Sequence, residues 1–252
     1  MSDPVIVLSG GGNLGAVQAG MLQALFHAGL RPGALLGSSV GALNAAYLAV
    51  DPTPERADAL VAAWRSVRGA DVFGGDRRLG FASVLLGRRP HVHHARGLAR
   101  LIDRWFEPHD LAETAIPLHV ATTELESGVV RWRRAGDPTR VLLASTAIPV
   151  LFPPVELDGA ASALVASIRA GRMARLEQDR TAVGSERIAW LTADCPAIGY
   201  ADFGRTDELI DLGCAAGEAF VRAQPALFPQ RSTCTMRSTG GRSAGLKSVP
   251  LV

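Results

Sequence analysis

Short aliphatic runs alternate with amphipathic stretches along the first part of the chain. The runs occupy residues 5–8 and 34–36, and neither is interrupted by a polar residue, as is typical of strands covered on both faces. Between them, residues 13–28 place their apolar side chains on one helical stripe, and Gly29 supplies a C-terminal stop. A further helix is predicted over residues 40–50. This order predicts right-handed crossovers and a parallel sheet, so the predicted fold class is α/β.

The later part of the chain continues the alternation. Thr53 and Pro54 suit the N-cap and first turn of a helix that ends near residue 68. The pattern also predicts helices at residues 94–105, 137–147, 161–176 and 207–222, and strands at residues 117–123 and 129–133. We assign residues 5–160 to one domain, residues 161–224 to its helical continuation and residues 225–252 to a disordered tail.

Composition narrows the class of protein. With 252 residues, of which 48% are hydrophobic, the chain can bury a substantial core. A formal net charge of +2 argues against nucleic acid as a partner. The three cysteines show no CxxC spacing, so neither a disulfide framework nor a metal site is indicated.

The N-terminal sequence predicts a core strand rather than a leader. Residues 1–4 carry no basic side chain, and the apolar run that follows breaks at Gly10, so no signal peptide is predicted. No run approaches the roughly 18 apolar residues of a transmembrane segment. We expect a cytoplasmic protein whose contact with lipid is at most peripheral.

Residues 69–93 are rich in Gly and Arg and are expected to form a mobile insert or lid. The apolar residues 81–86 lie close to four arginines in the sequence: Arg77, Arg78, Arg88 and Arg89. This combination predicts either peripheral docking on an anionic bilayer or a buried loop with a solvated arginine rim.

The second aliphatic run leads directly into Gly37-Ser38-Ser39-Val40-Gly41. A Gly-x-Ser-x-Gly sequence between a buried strand and a helix is typical of a nucleophile elbow, which holds its serine at strained dihedral angles. Small residues flank the serine because larger ones would clash across the turn. The same pattern arises by chance in Gly-rich loops, so the flanking strand and helix carry the assignment. Ser39 is the candidate nucleophile.

A glycine-rich turn follows the first aliphatic run. Gly10, Gly11 and Gly12 lack side chains, so their N–H groups can approach a ligand oxygen as an oxyanion hole requires. With Gly15 they also match a dinucleotide-binding fingerprint. That fingerprint needs an acidic residue at the end of the second strand, and none is present there. No Gly-Lys-Ser/Thr sequence of a P-loop occurs either.

A serine nucleophile needs a proton acceptor. An α/β-hydrolase places its histidine after the acid of the triad, whereas the last histidine of this chain, His119, precedes Asp158. His119 lies in a strand pattern typical of a core or edge residue, and His91, His93 and His94 are expected in solvent. A carboxylate that acts directly on the serine is then the simplest choice, provided that burial raises its pKa.

Three elements, in their order, resemble the signatures of the patatin-like phospholipases. They are Gly10-Gly11-Gly12-x-x-Gly15, Gly37-x-Ser39-x-Gly41 and Asp158-Gly159-Ala160. The sequence over residues 144–155 also resembles the stretch that leads to the family's aspartate, and the resemblance covers about residues 5–160. It implies a three-layer α/β/α fold with a mostly parallel sheet.

The resemblance also implies a function. The family hydrolyses ester bonds of phospholipids and other acyl lipids with a Ser–Asp dyad and no metal or other cofactor. By position, Ser39 would be the nucleophile, Asp158 the base, and Gly10, Gly11 and Gly12 the oxyanion donors. The implied partner is a lipid or ester substrate, and the sequence predicts no particular oligomeric state.

One departure from the family pattern leaves two interpretations of Asp158. In bacterial members a phrase like residues 155–159 often forms a hairpin turn, and a second strand then leads to the catalytic aspartate. Here Ala160 is followed by a helical pattern. Asp158 is therefore either the dyad base or a hairpin-turn residue, since Asp-Gly is common in such turns. The first interpretation predicts a serine acyl hydrolase, and the second a catalytically impaired patatin-like protein retained for binding. A nucleotide-binding protein is a distant third hypothesis.

Overall fold

The computed structural model describes residues 3–73, 91–149, 151–163, 189–195, 198–199 and 202–228. The strands are β1 (Val5–Leu8), β2 (Ala34–Gly37), β3 (Leu118–Glu124), β4 (Val130–Arg133), β5 (Val155–Leu157) and β6 (Ala160–Ala163). The helices are α1 (Gly15–His27), α2 (Val40–Ala49), α3 (Pro54–Ser66), α4 (Gly69–Phe73), α5 (Arg96–Trp105), α6 (Pro138–Thr146) and α7 (Thr206–Ala223). Short 3-10 helices occupy Gly12–Leu14, Leu111–Glu113 and Pro225–Leu227.

The described strands form one sheet in the order β1-β2-β3-β6-β5, with β4 paired to β3. Helices flank this sheet, which confirms the α/β class and the three-layer arrangement. The sheet is mixed rather than mostly parallel. Strands β1, β2 and β3 run parallel because helical crossovers connect them, whereas β4, β5 and β6 pair antiparallel. Turns too short for a crossover join β3 to β4 and β5 to β6.

Two helix starts illustrate how the local sequence sets the elements. The Thr53 hydroxyl accepts a hydrogen bond from the backbone N–H of Arg56 at 3.2 Å, which confirms the predicted cap of α3. The Asp137 carboxylate accepts from the N–H of Arg140 at 3.0 Å at the start of α6. Both helices carry proline in their first turn, where its missing N–H costs nothing.

Helix α2 lies at the centre of the fold. All ten of its residues are buried, because it packs against β1, β2 and β3 on one side and against α1 and α3 on the other. Its sequence accordingly lacks charged residues. Ser39, which immediately precedes α2, is therefore attached to one of the most enclosed elements of the molecule.

Helix α7 packs unusually closely on α1. A Cβ atom on Gly20 would lie 2.1 Å from the carbonyl oxygen of Ile210, and one on Gly213 would lie 2.0 Å from that of Val17. Glycine is required at these positions because any side chain would separate the helices. This contact holds the start of α7, and with it residues 202–205, next to the N-terminal part of the fold.

Several sequence-based expectations need correction. Residues 161–163, predicted as the start of a helix, belong to β6, because the Asp158-Gly159 turn folds them back onto β5. The predicted helix beyond residue 163 lies outside the described residues. Residues 225–228, assigned to a disordered tail, include a 3-10 helix, and Phe228 packs against Leu25 and Leu30. Residues 229–252 lie outside the described part of the chain.

The described ends of the predicted insert are packed rather than solvated. Phe73 is 7% exposed and His93 5%, and their ring centroids lie 5.1 Å apart. The apolar residues 81–86 and the four arginines named with them fall outside the described residues. Among the helices that the structure describes, none combines the length and the apolar character needed to cross a bilayer.

Candidate active site

Ser39 occupies a sharp turn between β2 and α2. Its backbone has φ 56° and ψ −128°, and a positive φ is strained for a residue with a Cβ atom, at a cost of about 1–3 kcal/mol. The carbonyl oxygen of Ser39 accepts the first α2 hydrogen bonds, from Ala42 at 2.8 Å and Leu43 at 3.2 Å. The turn therefore has the backbone strain that a nucleophile elbow requires.

The flanking glycines of the elbow are sterically obligatory. A Cβ atom on Gly37 would lie 2.5 Å from the Cα of Ala42, and one on Gly41 would lie 2.4 Å from the carbonyl oxygen of Leu8. Both contacts are with backbone atoms, which cannot rotate away. The sequence predicted that residues larger than glycine would clash here, and the packing of the elbow on β1 and α2 agrees with that prediction.

A buried serine from α6 fixes the elbow from behind. The backbone N–H of Ser39 donates to the Ser145 hydroxyl at 3.0 Å, and that hydroxyl donates to the carbonyl oxygen of Ala121 in β3 at 2.7 Å. Ser145 is fully buried. The sequence analysis missed this residue as a positioning group. The available signal was a serine among the buried, mostly apolar positions of a helix.

The glycine-rich turn lies beside the elbow. Gly12 has a left-handed φ of 61° and lines the same cavity as Ser39. Within the described residues, the amides of Gly10, Gly11 and Gly12 donate to no other protein group. Gly15 permits a close approach to α2 and α3, because a Cβ there would lie 2.3 Å from a Val40 methyl carbon.

Asn13 connects the glycine-rich turn to the segment before α7. Its side-chain amide donates to the carbonyl oxygens of Gly199, at 3.0 Å, and Asp202. Asn13 is 2% exposed, and its own Oδ1 has no hydrogen-bond partner among the described residues. This contact holds Phe203 over the site, where its ring stacks on Trp64 with centroids 6.5 Å apart.

An apolar cavity of about 70 Å³ opens beside Ser39 and Gly12. Its walls are hydrophobic side chains of α2, α3, α4 and α5, together with residues that follow α3, follow α6 and precede α7. The hydroxyl of Thr146, which also lines it, donates to carbonyl oxygens of its own helix at 2.9 and 3.0 Å. Apart from Ser39 and the glycine amides, the described walls therefore offer little to a polar ligand.

Asp158 lies in a two-residue turn between β5 and β6. Leu157 pairs with Ala160 across the turn, and Asp158 and Gly159 have φ 52° and 78°, as a type I′ hairpin turn requires. The Asp158 side chain is 79% exposed, and its carboxylate accepts a hydrogen bond from Arg133. This geometry matches the hairpin-turn interpretation and lacks the burial that a carboxylate base was expected to have.

The structure brings together part of the predicted site. Ser39 and Gly12 line one cavity with the loop glycines beside them, whereas Asp158 is not among the residues that line it. Within the described residues, no hydrogen bond joins Asp158 to Ser39. Gly159 and Ala160 belong to the hairpin, and a Cβ on Gly159 would meet no described residue within 4 Å.

Comparison with models of protein families identifies the family of this chain. The model described as patatin-like phospholipase matches residues 6–166, more than half of the chain. The chain belongs to the patatin-like phospholipase family. Members of this family are lipid acyl hydrolases.

Other comparisons are more distant. Among solved structures, this patatin-like chain aligns with the crystal structure of VipD from Legionella pneumophila. The sequence identity is 14% and the TM-score 0.46, and the alignment covers 87% of this chain and 67% of that chain. No curated protein matches the chain.

Two histidines of this patatin-like chain, His93 and His119, take structural positions. His93, expected in solvent, is buried between the rings of Phe73 and Phe152, with centroids 5.1 and 5.8 Å away. That expectation was wrong because the aromatic cluster closes over the described end of the insert. His119 lies in β3 beside Leu36 of β2. No group of three or more His, Cys, Asp or Glu side chains in the described residues could hold a metal ion.

Proposed function

We propose that this chain is a serine acyl hydrolase of lipid esters in which Ser39 is the nucleophile. The observation that carries the proposal is the strained, 6% exposed Ser39 in the wall of an apolar cavity, beside a glycine turn whose amides donate to no group in the described part of the chain. An apolar cavity suits an acyl chain, and strained backbone of this kind concentrates at functional sites. Family membership supports the same reaction class.

The proposed reaction proceeds through an acyl-enzyme. The Ser39 oxygen attacks the ester carbonyl carbon as its proton passes to a base, and the carbonyl electron pair moves to the oxygen. The N–H groups of Gly10, Gly11 and Gly12 donate to that oxyanion. Collapse of the intermediate expels the alcohol, which takes the proton from the base. Water then attacks the acyl-serine by the same steps and releases the acid.

Asp158 is the proposed base. For this role the carboxylate must leave Arg133, and the hairpin that carries it must approach Ser39. Because the Asp158 side chain is 79% exposed, water screens this ion pair, which contributes about 1 kcal/mol, so the Arg133 contact opposes the movement only weakly.

A second function is favoured by the position of Asp158 itself. A patatin-like protein whose aspartate remains in an exposed turn would keep the cavity and the elbow but lack a proton acceptor at Ser39. Such a protein would bind an acyl compound without hydrolysing it. The exposed carboxylate and its pairing with Arg133 are the observations on which this alternative rests.

Ester hydrolysis by matched variants separates the two functions. We expect the wild type to hydrolyse para-nitrophenyl butanoate, Ser39→Ala to be inactive, and Ser38→Ala to retain activity, since the Ser38 backbone, not its side chain, bonds to Leu8. Equal rates for the wild type and Ser39→Ala would reject the hydrolase proposal. Absence of hydrolysis with retained binding of butanoate would support the second function.

A further inference from the structure

The cavity beside Ser39 runs along one face of α2 and ends after the first turn of that helix. Val40 and Leu43 line it, whereas Tyr47, the next residue on that face, does not. The ring of Trp105, which does line the cavity, packs edge-on against Tyr47 with centroids 5.8 Å apart. Trp105 therefore stands between the cavity and the far end of α2.

Trp105 is held in place by a second indole. The rings of Trp105 and Trp64 meet edge to face with centroids 5.7 Å apart. Trp64 is fixed in turn, because its Nε1–H donates to the buried Oδ1 of Asn44 at 2.8 Å. Both indoles are nearly inaccessible, with exposures of 3% for Trp64 and 6% for Trp105. The closed end of the cavity is thus rigid and not a movable side chain.

The position of this end along α2 sets the depth of the cavity in the direction of that helix. A helix rises about 1.5 Å per residue, so Leu43 lies roughly 6 Å and Tyr47 roughly 12 Å along the axis from Ser39. The cavity volume of about 70 Å³ agrees with a short site, since one water molecule needs roughly 10–15 Å³ on the same scale. This space suits a short straight alkyl chain.

We propose that Trp105 is a specificity-determining residue, which closes the acyl site and limits this protein to short acyl chains. The inference rests on the proposed role of Ser39, because chain length is counted from the acyl carbon next to that oxygen. Chains of about the length of a butanoyl group fit between Ser39 and Trp105. Longer chains meet the indole and must remain partly outside the cavity, exposed to water.

The test compares kcat/KM for para-nitrophenyl butanoate, octanoate and hexadecanoate. In the wild type we expect kcat/KM to fall from butanoate to octanoate by about tenfold or more, and in Trp105→Ala we expect the ratio to shift toward octanoate by a similar factor. Trp132→Ala is the matched control, because Trp132 is 49% exposed on β4. A folded Trp105→Ala protein with the wild-type chain-length profile would overturn the inference and leave the proposed function intact.

Two further measurements keep the test decisive. If Trp105→Ala does not fold, Trp105→Leu preserves more of the core and is expected to shift the preference in the same direction. If the wild type hydrolyses no ester, the proposed function fails, and binding of butanoate, octanoate and decanoate is measured instead by thermal shift. Tighter binding of decanoate in Trp105→Ala than in the wild type would support the length limit without catalysis, and unchanged binding would reject it.

Discussion

The backbone N–H of Ser39 donates a hydrogen bond to the hydroxyl of Ser145, which lies 106 residues later in the chain, at 3.0 Å. The Ser145 hydroxyl in turn donates a hydrogen bond to the carbonyl oxygen of Ala121 in β3. One hydroxyl thus ties the strained elbow to both a helix and the central sheet. The strain at Ser39 persists because neighbouring elements hold it, and Ser145 is the most direct of these supports.

Replacing Ser145 with Ala should destabilise the protein and impair the elbow together. The change leaves a buried N–H and a carbonyl oxygen without this partner, so we expect a loss of about 1–3 kcal/mol in the free energy of unfolding, measured in urea. We also expect lower kcat, by up to about 10²-fold if Ser39 shifts. Ser66→Ala is the control, since among the described residues the exposed Ser66 hydroxyl bonds only within its own helix. An unchanged urea midpoint for Ser145→Ala would contradict this role.

The steric argument for Gly41 predicts a large effect from one added methyl group. A Cβ there would lie 2.4 Å from the backbone oxygen of Leu8, so Gly41→Ala should displace β1 from α2 at a cost of about 1–3 kcal/mol. Gly199→Ala adds the same methyl group at a position where no described residue lies within 4 Å. Comparison of the two melting temperatures provides the test, and equal values would show that the elbow tolerates a side chain.

Asp158→Asn separates catalysis from structure. Asn suits the positive φ of a type I′ turn as well as Asp does, and the exposed pair with Arg133 contributes little. Stability should therefore change by less than about 1 kcal/mol. If Asp158 is the base, as proposed, hydrolysis falls by about 10²–10⁴-fold.

Arg133→Gln is the companion experiment on the same ion pair. Loss of the guanidinium frees the Asp158 carboxylate, so the dyad proposal predicts activity equal to or above that of the wild type. Full activity of the Asp158→Asn protein would instead leave Asp158 as a turn residue and remove the dyad from the account.

Asn44 is expected to stabilise the cavity wall through Trp64. Its side chain bonds to the Trp64 indole at 2.8 Å and to the carbonyl oxygen of Gly15 at 3.0 Å, and it is fully buried. A double-mutant cycle with Asn44→Ala and Trp64→Phe should give a coupling free energy of about 1 kcal/mol. A coupling of zero would mean that Trp64 is held by packing alone.

The sequence predicted the elements that depend on local pattern. The elbow was predictable because an aliphatic strand, small flanking residues and a following helix are adjacent in the chain, and the Thr53 cap of α3 was predictable for the same reason. Contacts between distant segments were not. The Ser39–Ser145 bond and the burial of His93 each depend on how separate elements pack.

Residues 161–163 show a conflict between local pattern and tertiary pairing. Their Ala-rich sequence favours a helix, yet the Asp158-Gly159 turn and pairing with both β3 and β5 make them a strand. Asp158 belongs to the same case. The sequence has an Asp-Gly-Ala signature there, which fits either a catalytic aspartate or a hairpin turn. The backbone angles of Asp158 and Gly159 fit the hairpin turn.

The central claim is that Ser39 is an activated nucleophile, and covalent labelling by a fluorophosphonate probe tests it most directly. Peptide mass spectrometry of the labelled wild type should find the phosphonyl group on Ser39, and Ser39→Ala should remain unlabelled while Ser38→Ala is labelled normally. Folded wild-type protein that resists the probe, or a label that persists in Ser39→Ala, would contradict the account.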